Sequence, residues 1–547
     1  MKPITRLLAV LAAGAGMLAA QPSIDTVVNT ASFANPALPN GSLAQGGMFA
    51  VIGRNLGPAD LELVNAFPLP RELGGTSIRV TVGATTLDCL MIFSLSAQVA
   101  AILPSNTPTG NGTLTLSFGG RATAPFSIRV VRSSFGIFSL NQGGSGPGIF
   151  TDPGFSINTM VQTARPGSSW FIWGTGLGPV AGNEAAGPLP GDLTGLDVTV
   201  LVGGKPAVVR YRGRSGCCAG IDQILIEIPL GVTGCHVPVV VMVGGVPSNY
   251  ASISITEGST PCSDTGGWHS ADLAAGQQSN GLTAGSIVLS RVNLRQPLGA
   301  GAADLQGRID SASAGFARYD FPQILATQSI AFVTNVGACT VFQFRGSQAT
   351  LADPVRGHAL DAGPLLNING PRGLRQLVRR AGGGYSETLG GAGPVIPGIP
   401  ASADYLEPGQ YTVSNGAGGA VGPFSVSITI GAPINPTNLM SQNSIPRNRA
   451  LTLTWTGGED SREFVQIFGY SVAAGAQAGA AFQCRERPSA RTFTIPAEVL
   501  AALPASSPQG GLIGLGTVSL PVRITAPGLT VGSLGHSILL ATVSNYQ

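Results

Sequence analysis

The chain has 547 residues, a formal net charge of +3, and only 10% charged side chains against 44% hydrophobic ones; a soluble domain ordinarily carries about 25% charged residues. So small a net charge, with no basic cluster, excludes an electrostatic nucleic-acid binder, and the apolar content excludes a disordered chain. The 78 Gly and 40 Pro supply turns and break helices, which points to an all-β chain: tandem immunoglobulin-like β-sandwiches followed by two further β-sandwich domains.

Residues 1–20 read as an export signal. Lys2 and Arg6 precede an apolar run, Leu7 to Leu18, and Ala19-Ala20 stand before Gln21. The run is too short to span a bilayer, so cleavage is expected near Ala20. No later run has transmembrane length. A secreted, cell-surface or periplasmic protein without an integral membrane segment is therefore expected.

A first module is expected over 21–134. Ile24 to Val28 and Met48 to Ile52 read as strands. Thr76 to Val82 alternates, with Ile78, Val80 and Val82 on one face. Gln98 to Leu103 ends at Pro104, and Thr113 to Phe118 turns at Gly119-Gly120 into Phe126 to Val131. A second module, 135–262, repeats this order. Phe49 to Pro58 and Trp170 to Pro179 both end in G-x-x-L-G-P, through Gly53, Leu56, Gly57 and Pro58 in one copy and Gly174, Leu177, Gly178 and Pro179 in the other. Gln223 to Ile228 before Pro229 matches the Gln98 strand, and Gly244-Gly245 matches Gly119-Gly120. The near-constant offset marks an internal repeat. About seven short strands per module is the count of an immunoglobulin-like sandwich. Between the modules, Phe135 to Phe150 mixes glycines with Phe and Ile, and its apolar residues argue for packing over a flexible tether.

Residues 263–283 read as a polar, Gly-rich linker. A third sandwich is expected over 284–432, with strands at Ser286 to Leu294, Phe316 to Phe321, Ile330 to Thr334, Thr340 to Phe344, Leu365 to Asn369, Gly409 to Val413 and Phe424 to Ile430. A fourth is expected over 433–547, with strands at Leu451 to Trp455 and Phe464 to Gly469. Pro496 to Leu503 is the best helix, with Pro in its first turn and Pro504 to stop it.

Together, N-x-A-S-F (Asn29 to Phe33), the paired G-x-x-L-G-P stretches, the two Gln-to-Pro strands, G-S-G-P-G-I-F (Gly144 to Phe150) and R-S-G-C-C-A-G-x-D-Q (Arg214 to Gln223), with Cys235 and Cys262 beyond, resemble a family of acidobacterial secreted proteins. These share an uncharacterised, usually C-terminal region of modules similar to the IPT/TIG type of immunoglobulin-like domain. The resemblance covers about Ile24 to Asp264. Here the region is N-terminal and another half-chain follows. The resemblance implies a fold and an exported location, and no catalytic residues.

The G-x-x-L-G-P turns are not phosphate loops, because no strand-to-helix turn surrounds them. The four histidines fit no metal or nucleophile motif, and no G-x-S-x-G elbow occurs. No catalytic, cofactor or metal residues are assigned. Asp222 and Glu227 fall on opposite faces of one strand, and Glu459-Asp460 reads as a solvated turn. Trp170 and Trp173 point oppositely, so at least one is core. Trp268 is the most exposed aromatic candidate. In an oxidising compartment the cysteines favour disulfides. A Cys217–Cys218 bond is discounted for strain in the intervening peptide. That leaves Cys217–Cys235 with Cys218–Cys262, or Cys217–Cys262 with Cys218–Cys235. Cys339 and Cys484 pair or stay as buried thiols, and Cys89 is left as a buried free thiol.

These features point to an exported non-catalytic protein with a structural, adhesive or surface-binding role and an extracellular protein or glycan partner. The alternatives are a secreted hydrolase with its site in 284–547, and a polysaccharide-binding module, for which two aromatics must share an exposed plane.

Overall fold

The computed structural model describes residues 21–258, 261–264, 267–297, 304–326, 335–345, 357–391, 403–475 and 478–547. The export segment and the strand expected at Ile330 to Thr334 lie outside the described residues. The described chain is built almost wholly of β-strands, as composition requires.

In the first module two sheets face each other. One runs Ser23–Asn29, Met48–Arg54, Gln98–Ile102, Leu90–Ser94 and Glu62–Leu63. The other runs Leu43–Ala44, Phe126–Val131, Gly110–Phe118, Thr76–Val82 and Glu72–Leu73. The alternating Ile78, Val80 and Val82 point inward and meet Phe49, Val51 and Val99 from the opposite sheet. Cys89 is buried in this core as a free thiol.

The second module has the same order but a continuous sheet. Its strand Lys205–Arg214 shifts register between Val209 and Tyr211. It pairs with Val198–Val202 through Lys205 to Ala207 and with Asp222–Glu227 from Val208 to Arg214. In the first module the corresponding stretch is divided between Thr85–Asp88 and Leu90–Ser94, which join different sheets. Phe135, Ile137 and Phe150 are buried in the second module's core, so the intermodule segment packs as its apolar residues require.

Three expectations for the remainder need correction. First, 263–283 is not a plain linker. Ser270–Ser279 is a helix, ended by Asn280 in the left-handed region (φ 48°), and Asp272 in its first turn accepts both terminal guanidinium nitrogens of Arg523 at 2.7 and 2.8 Å. Trp268 is buried beside Cys235, Cys262 and Leu273, because this segment closes a small apolar cluster. Second, the helix near 496–503 is shorter, Ala497–Ala501, and the strand expected from Phe316 to Phe321 is the last part of a long strand, Leu305–Asp320, which gives way to a helix at Phe321–Ala326.

Third, the boundary expected at 432/433 is crossed by one large sheet. Gly281–Gln296 pairs in parallel with Val531–Tyr546, from Ala284 opposite Val531 to Arg295 opposite Thr542. Ala338–Arg345 pairs with Ala478–Glu486 and is tied to it by the Cys339–Cys484 disulfide. Two cores lie on this sheet. One packs it against the sheet of Leu365–Gly370, Gly373–Val378, Gly409–Ser414 and Ser425–Ile430, through Leu289, Phe316, Ile368 and Val413. The other packs it against Leu451–Thr456 and Thr492–Ile495, through Trp455, Val465, Phe482 and Leu515. The second core also takes in Val240 and Tyr250, so the second module is seated on the back half.

Candidate functional site: an aromatic face and an intermodule lock

Successive side chains of a strand point to opposite faces, and Ser169–Thr175 divides its aromatics accordingly. Trp170 and Ile172 enter the core, whereas Phe171 and Trp173 stay half-buried on the outer face. Leu225 lies opposite Phe171, and Gln223 opposite Trp173. On the other side, Thr151 pairs with Phe171 and its hydroxyl accepts the Trp173 indole N–H at 2.9 Å, which fixes the ring.

The loop after Thr151 adds a third ring. Asp152 organises a tight turn: its carbonyl accepts the Phe155 amide at 2.9 Å and its carboxylate accepts the Ser156 amide at 2.8 Å. Phe155 is held at φ 65° and is 64% exposed. A bulky residue in the left-handed region costs about 1–3 kcal/mol. The conformation lays the Phe155 ring parallel to Phe171, with centroids 6.4 Å apart and planes 4° apart. Trp173 completes a triangle, 6.3 Å from Phe155 and 6.5 Å from Phe171. Ile157 extends the apolar surface, and Arg210 paired to Glu227 at 2.8 Å borders it. The aromatic surface is thus made by exposed Phe155 against half-buried Phe171 and Trp173, residues other than Trp268. Phe155 was missed by sequence reasoning. The available signal was an aromatic placed directly after Pro153-Gly154 in a turn, where a polar residue is the rule.

The G-x-x-L-G-P copies share a structural basis and differ in surroundings. Gly53 and Gly174 occupy points where a Cβ would collide with the carbonyls of Ser23 and Gly136, and Leu56 and Leu177 are fully buried. The second copy faces the first module. The Thr175 hydroxyl accepts the Met48 amide at 2.8 Å and donates to the Gly220 carbonyl at 2.6 Å, while the Asn29 amide donates to the Thr175 carbonyl. Arg214 donates to Asp222 and to the carbonyls of Gly46 and Gly178, and Asp222 accepts the Leu177 amide at 2.8 Å. In the first copy Arg54 stands where the second has Thr175. It is exposed and paired with Asp25 at 3.3 Å. The second copy is thus the intermodule joint, whereas the first is a free end.

Both four-cysteine pairing schemes are corrected. Cys217 bonds Cys218 and Cys235 bonds Cys262. Cys235 is the second residue of the strand Gly234–Val243 and lies with Cys262, Trp268 and Leu273 against the chain as it leaves the module.

Among the described residues of 284–547, two buried or part-buried carboxylates, Asp310 and Glu463, sit in structural contacts. Burial would raise Asp310, but bidentate Arg291 at 2.7 and 2.8 Å and the amides of Tyr405 and Leu406 outweigh it and hold the carboxyl below its ordinary value. Glu463 is pushed up to about 7 by burial and by Glu459, and buried His536, 3.7 Å away, is pushed down to about 4 by burial. A 670 Å³ cleft beside Arg291, Arg295 and Arg308 has, among the described residues, Asp404 as its one lining carboxylate. A second cleft, 630 Å³, lies where the second module meets the back half and contains Glu257, Asp264, Arg485 and Arg487. Both guanidiniums there stack on Phe464, at 4.9 and 4.8 Å. Among the described residues no group of three or more His, Cys, Asp or Glu is placed to hold a metal ion, and no helix is long and apolar enough to cross a membrane.

No known family profile matches the chain, and no curated protein matches it. Solved structures match the chain at low identity and low TM-score. Domains 5–6 of the S-layer protein SbsC are 12% identical, over 43% of this chain and 99% of that one, with a TM-score of 0.17. Immunoglobulin domains 1–4 of Sidekick-1 are 11% identical, over 95% and 98%, with a TM-score of 0.11. The SGBP-B protein of the Bacteroides ovatus mixed-linkage glucan utilization locus, solved with a mixed-linkage heptasaccharide, is 8% identical over 90% and 92%, with a TM-score of 0.13.

Proposed function

We infer that this is an exported, non-catalytic binding protein of the extracellular or cell-surface space, and that it holds a glycan chain on the face of Phe155, Phe171 and Trp173. One observation carries the reading: three rings, one in a strained backbone conformation, form an open triangle on a rigid sheet. Sugar rings present C–H faces that lie on aromatic planes, and bordering polar groups orient their hydroxyls. Apolar surface gathered at one place on a sheet marks an interaction site. The resemblance of the front modules to the acidobacterial IPT/TIG-like proteins, and the export signal expected over residues 1–20, support the location.

The test is affinity electrophoresis and insoluble-polysaccharide pull-down with the mature chain, over neutral and acidic glycans and a set of matrix proteins. Retardation by a glycan, lost at least tenfold in Phe155→Ala/Trp173→Ala while melting is unchanged, supports the reading. Equal binding by the double variant, or binding to matrix proteins alone, overturns it.

A hydrolase is the second reading, at a place other than the 284–547 region expected from sequence: the cleft with Glu257 and Asp264. Asp264 is pushed up by burial, as a general acid requires, although it already accepts the Cys235 amide at 2.9 Å. Glycan hydrolysis abolished by Asp264→Asn would establish it.

A further inference from the structure

Cys217–Cys218 stands apart from the other two disulfides. Cys217 is exposed and Cys218 half-buried, whereas Cys235, Cys262, Cys339 and Cys484 are all buried. The bonds also differ in what they close. Cys339–Cys484 spans 145 residues and Cys235–Cys262 spans 27, so both restrict the unfolded chain strongly. A bond between neighbours closes almost no loop and gains almost nothing by that route. Its effect is local: it closes a ring through the single peptide bond between the two residues and fixes the backbone there.

That backbone belongs to the intermodule lock. The loop from Arg214 to Asp222 begins and ends on the buried ion pair. Within it, the Ser215 hydroxyl donates to the Cys218 carbonyl at 3.1 Å, and the Cys218 amide donates back to that hydroxyl at 3.3 Å. The Ser215 amide donates to the Ile221 carbonyl, and the Ile221 amide to the Cys218 carbonyl. The disulfide ring is thereby knitted to both ends of the loop. Ala219 packs beside Ile102 of the first module, and Gly220, at φ 73°, stands where a Cβ would collide with Ile102. The Gly220 carbonyl takes the Thr175 hydroxyl that in turn accepts the Met48 amide. Everything that joins the second module's loop to the first passes within four residues of the bond.

We propose that Cys217–Cys218 is a thiol–disulfide exchange site whose oxidised state holds the lock between the two front modules and whose reduction releases it. The co-reactant is a small dithiol. One of its thiolates attacks the exposed Cys217 sulfur, the S–S bond breaks, and the Cys218 sulfur leaves as a thiolate and takes a proton. The second thiol of the reductant then attacks its own sulfur in the mixed disulfide and frees Cys217. Two protein thiols form and the dithiol becomes a disulfide. Exposure selects this bond because exchange needs access to a sulfur.

The experiment treats the folded mature chain with dithiothreitol, alkylates it, and maps the labelled cysteines by mass. Amide hydrogen exchange is followed in parallel. Labelling is expected at Cys217 and Cys218 before any other pair, with exchange at the Met48, Ser134 and Leu177 amides rising at least tenfold and exchange at Val51 and Val99 unchanged. Cys217→Ser/Cys218→Ser is expected to show the fast exchange without reductant and no further change with it. Labelling of another pair first overturns the proposal. So does clean labelling of Cys217 and Cys218 with unchanged exchange at Met48 and Leu177.

Discussion

Arg214 and Asp222 form an ion pair with side chains 2% and 0% exposed, and each also binds the turn that ends the repeated motif. Isolated buried charges are expensive, and this pair is sustained by the carbonyls of Gly46 and Gly178 and the amide of Leu177. Removing one partner strands the other charge. Asp222→Ala is expected to destabilise the front modules by about 3–5 kcal/mol. Arg214→Met/Asp222→Leu is expected to cost less than the sum of the single changes. A double-mutant cycle in denaturant checks this, and strict additivity would count against the lock.

Phe155 trades stability for display. Phe155→Gly removes a ring contact of about 0.5–1.5 kcal/mol and relieves a left-handed conformation of similar cost. The expected melting temperature is close to that of the parent chain, while glycan retention falls at least tenfold. A large loss of stability would show that the ring serves packing instead.

Glu463 and His536 give opposing pH dependences. The folded-state pKa of Glu463 is raised from 4.5 to about 7, so its stabilising contribution is complete below pH 4.5 and is lost as pH rises towards 7. That of His536 is lowered from 6.5 to about 4, so its contribution is complete above pH 6.5 and is lost as pH falls towards 4. Between pH 4.5 and 6.5 the two slopes offset each other. Glu463→Gln is expected to expose a stability that climbs with pH across this window, and His536→Gln one that declines. Thermal midpoints at half-unit pH steps decide; profiles parallel to the parent's in both variants would refute the pairing.

Cys339–Cys484 closes a loop of 145 residues, and the chain-entropy relation assigns such a bond about 5 kcal/mol, less any native strain. Cys339→Ala/Cys484→Ala is expected to lower the stability of the back half by about 3–5 kcal/mol and to leave the front modules unaffected, read by exchange at Val51 against Ile467.

The front half was legible because its signals are local. Ile78, Val80 and Val82 alternate, Trp170 and Trp173 take opposite faces, and the repeat places each strand beside its counterpart. The back half was not legible in the same way. The apolar run Thr340 to Phe344 reads as a strand, but nothing in it names Ala478–Glu486 as partner. Trp268 misled because its neighbours in sequence are polar while its neighbours in space are Cys235, Cys262 and Leu273. The disulfide schemes failed for a related reason. Peptide strain argues against adjacent cysteines pairing in general, but the positions of Cys235 and Cys262 leave Cys217 and Cys218 only each other.

The parallel pairing of Gly281–Gln296 with Val531–Tyr546 sets a timetable. Ala284 meets Val531 only after 247 further residues have been made. At about 5–20 residues per second that is on the order of 10–50 s. Throughout that interval one long strand of the central sheet has an open edge, the kind of edge that recruits foreign strands. Such distant pairing also slows folding after the chain is released. The back half is therefore the part that a newly made molecule must keep apart from its neighbours, and Val531–Tyr546 is the segment whose arrival ends the exposure.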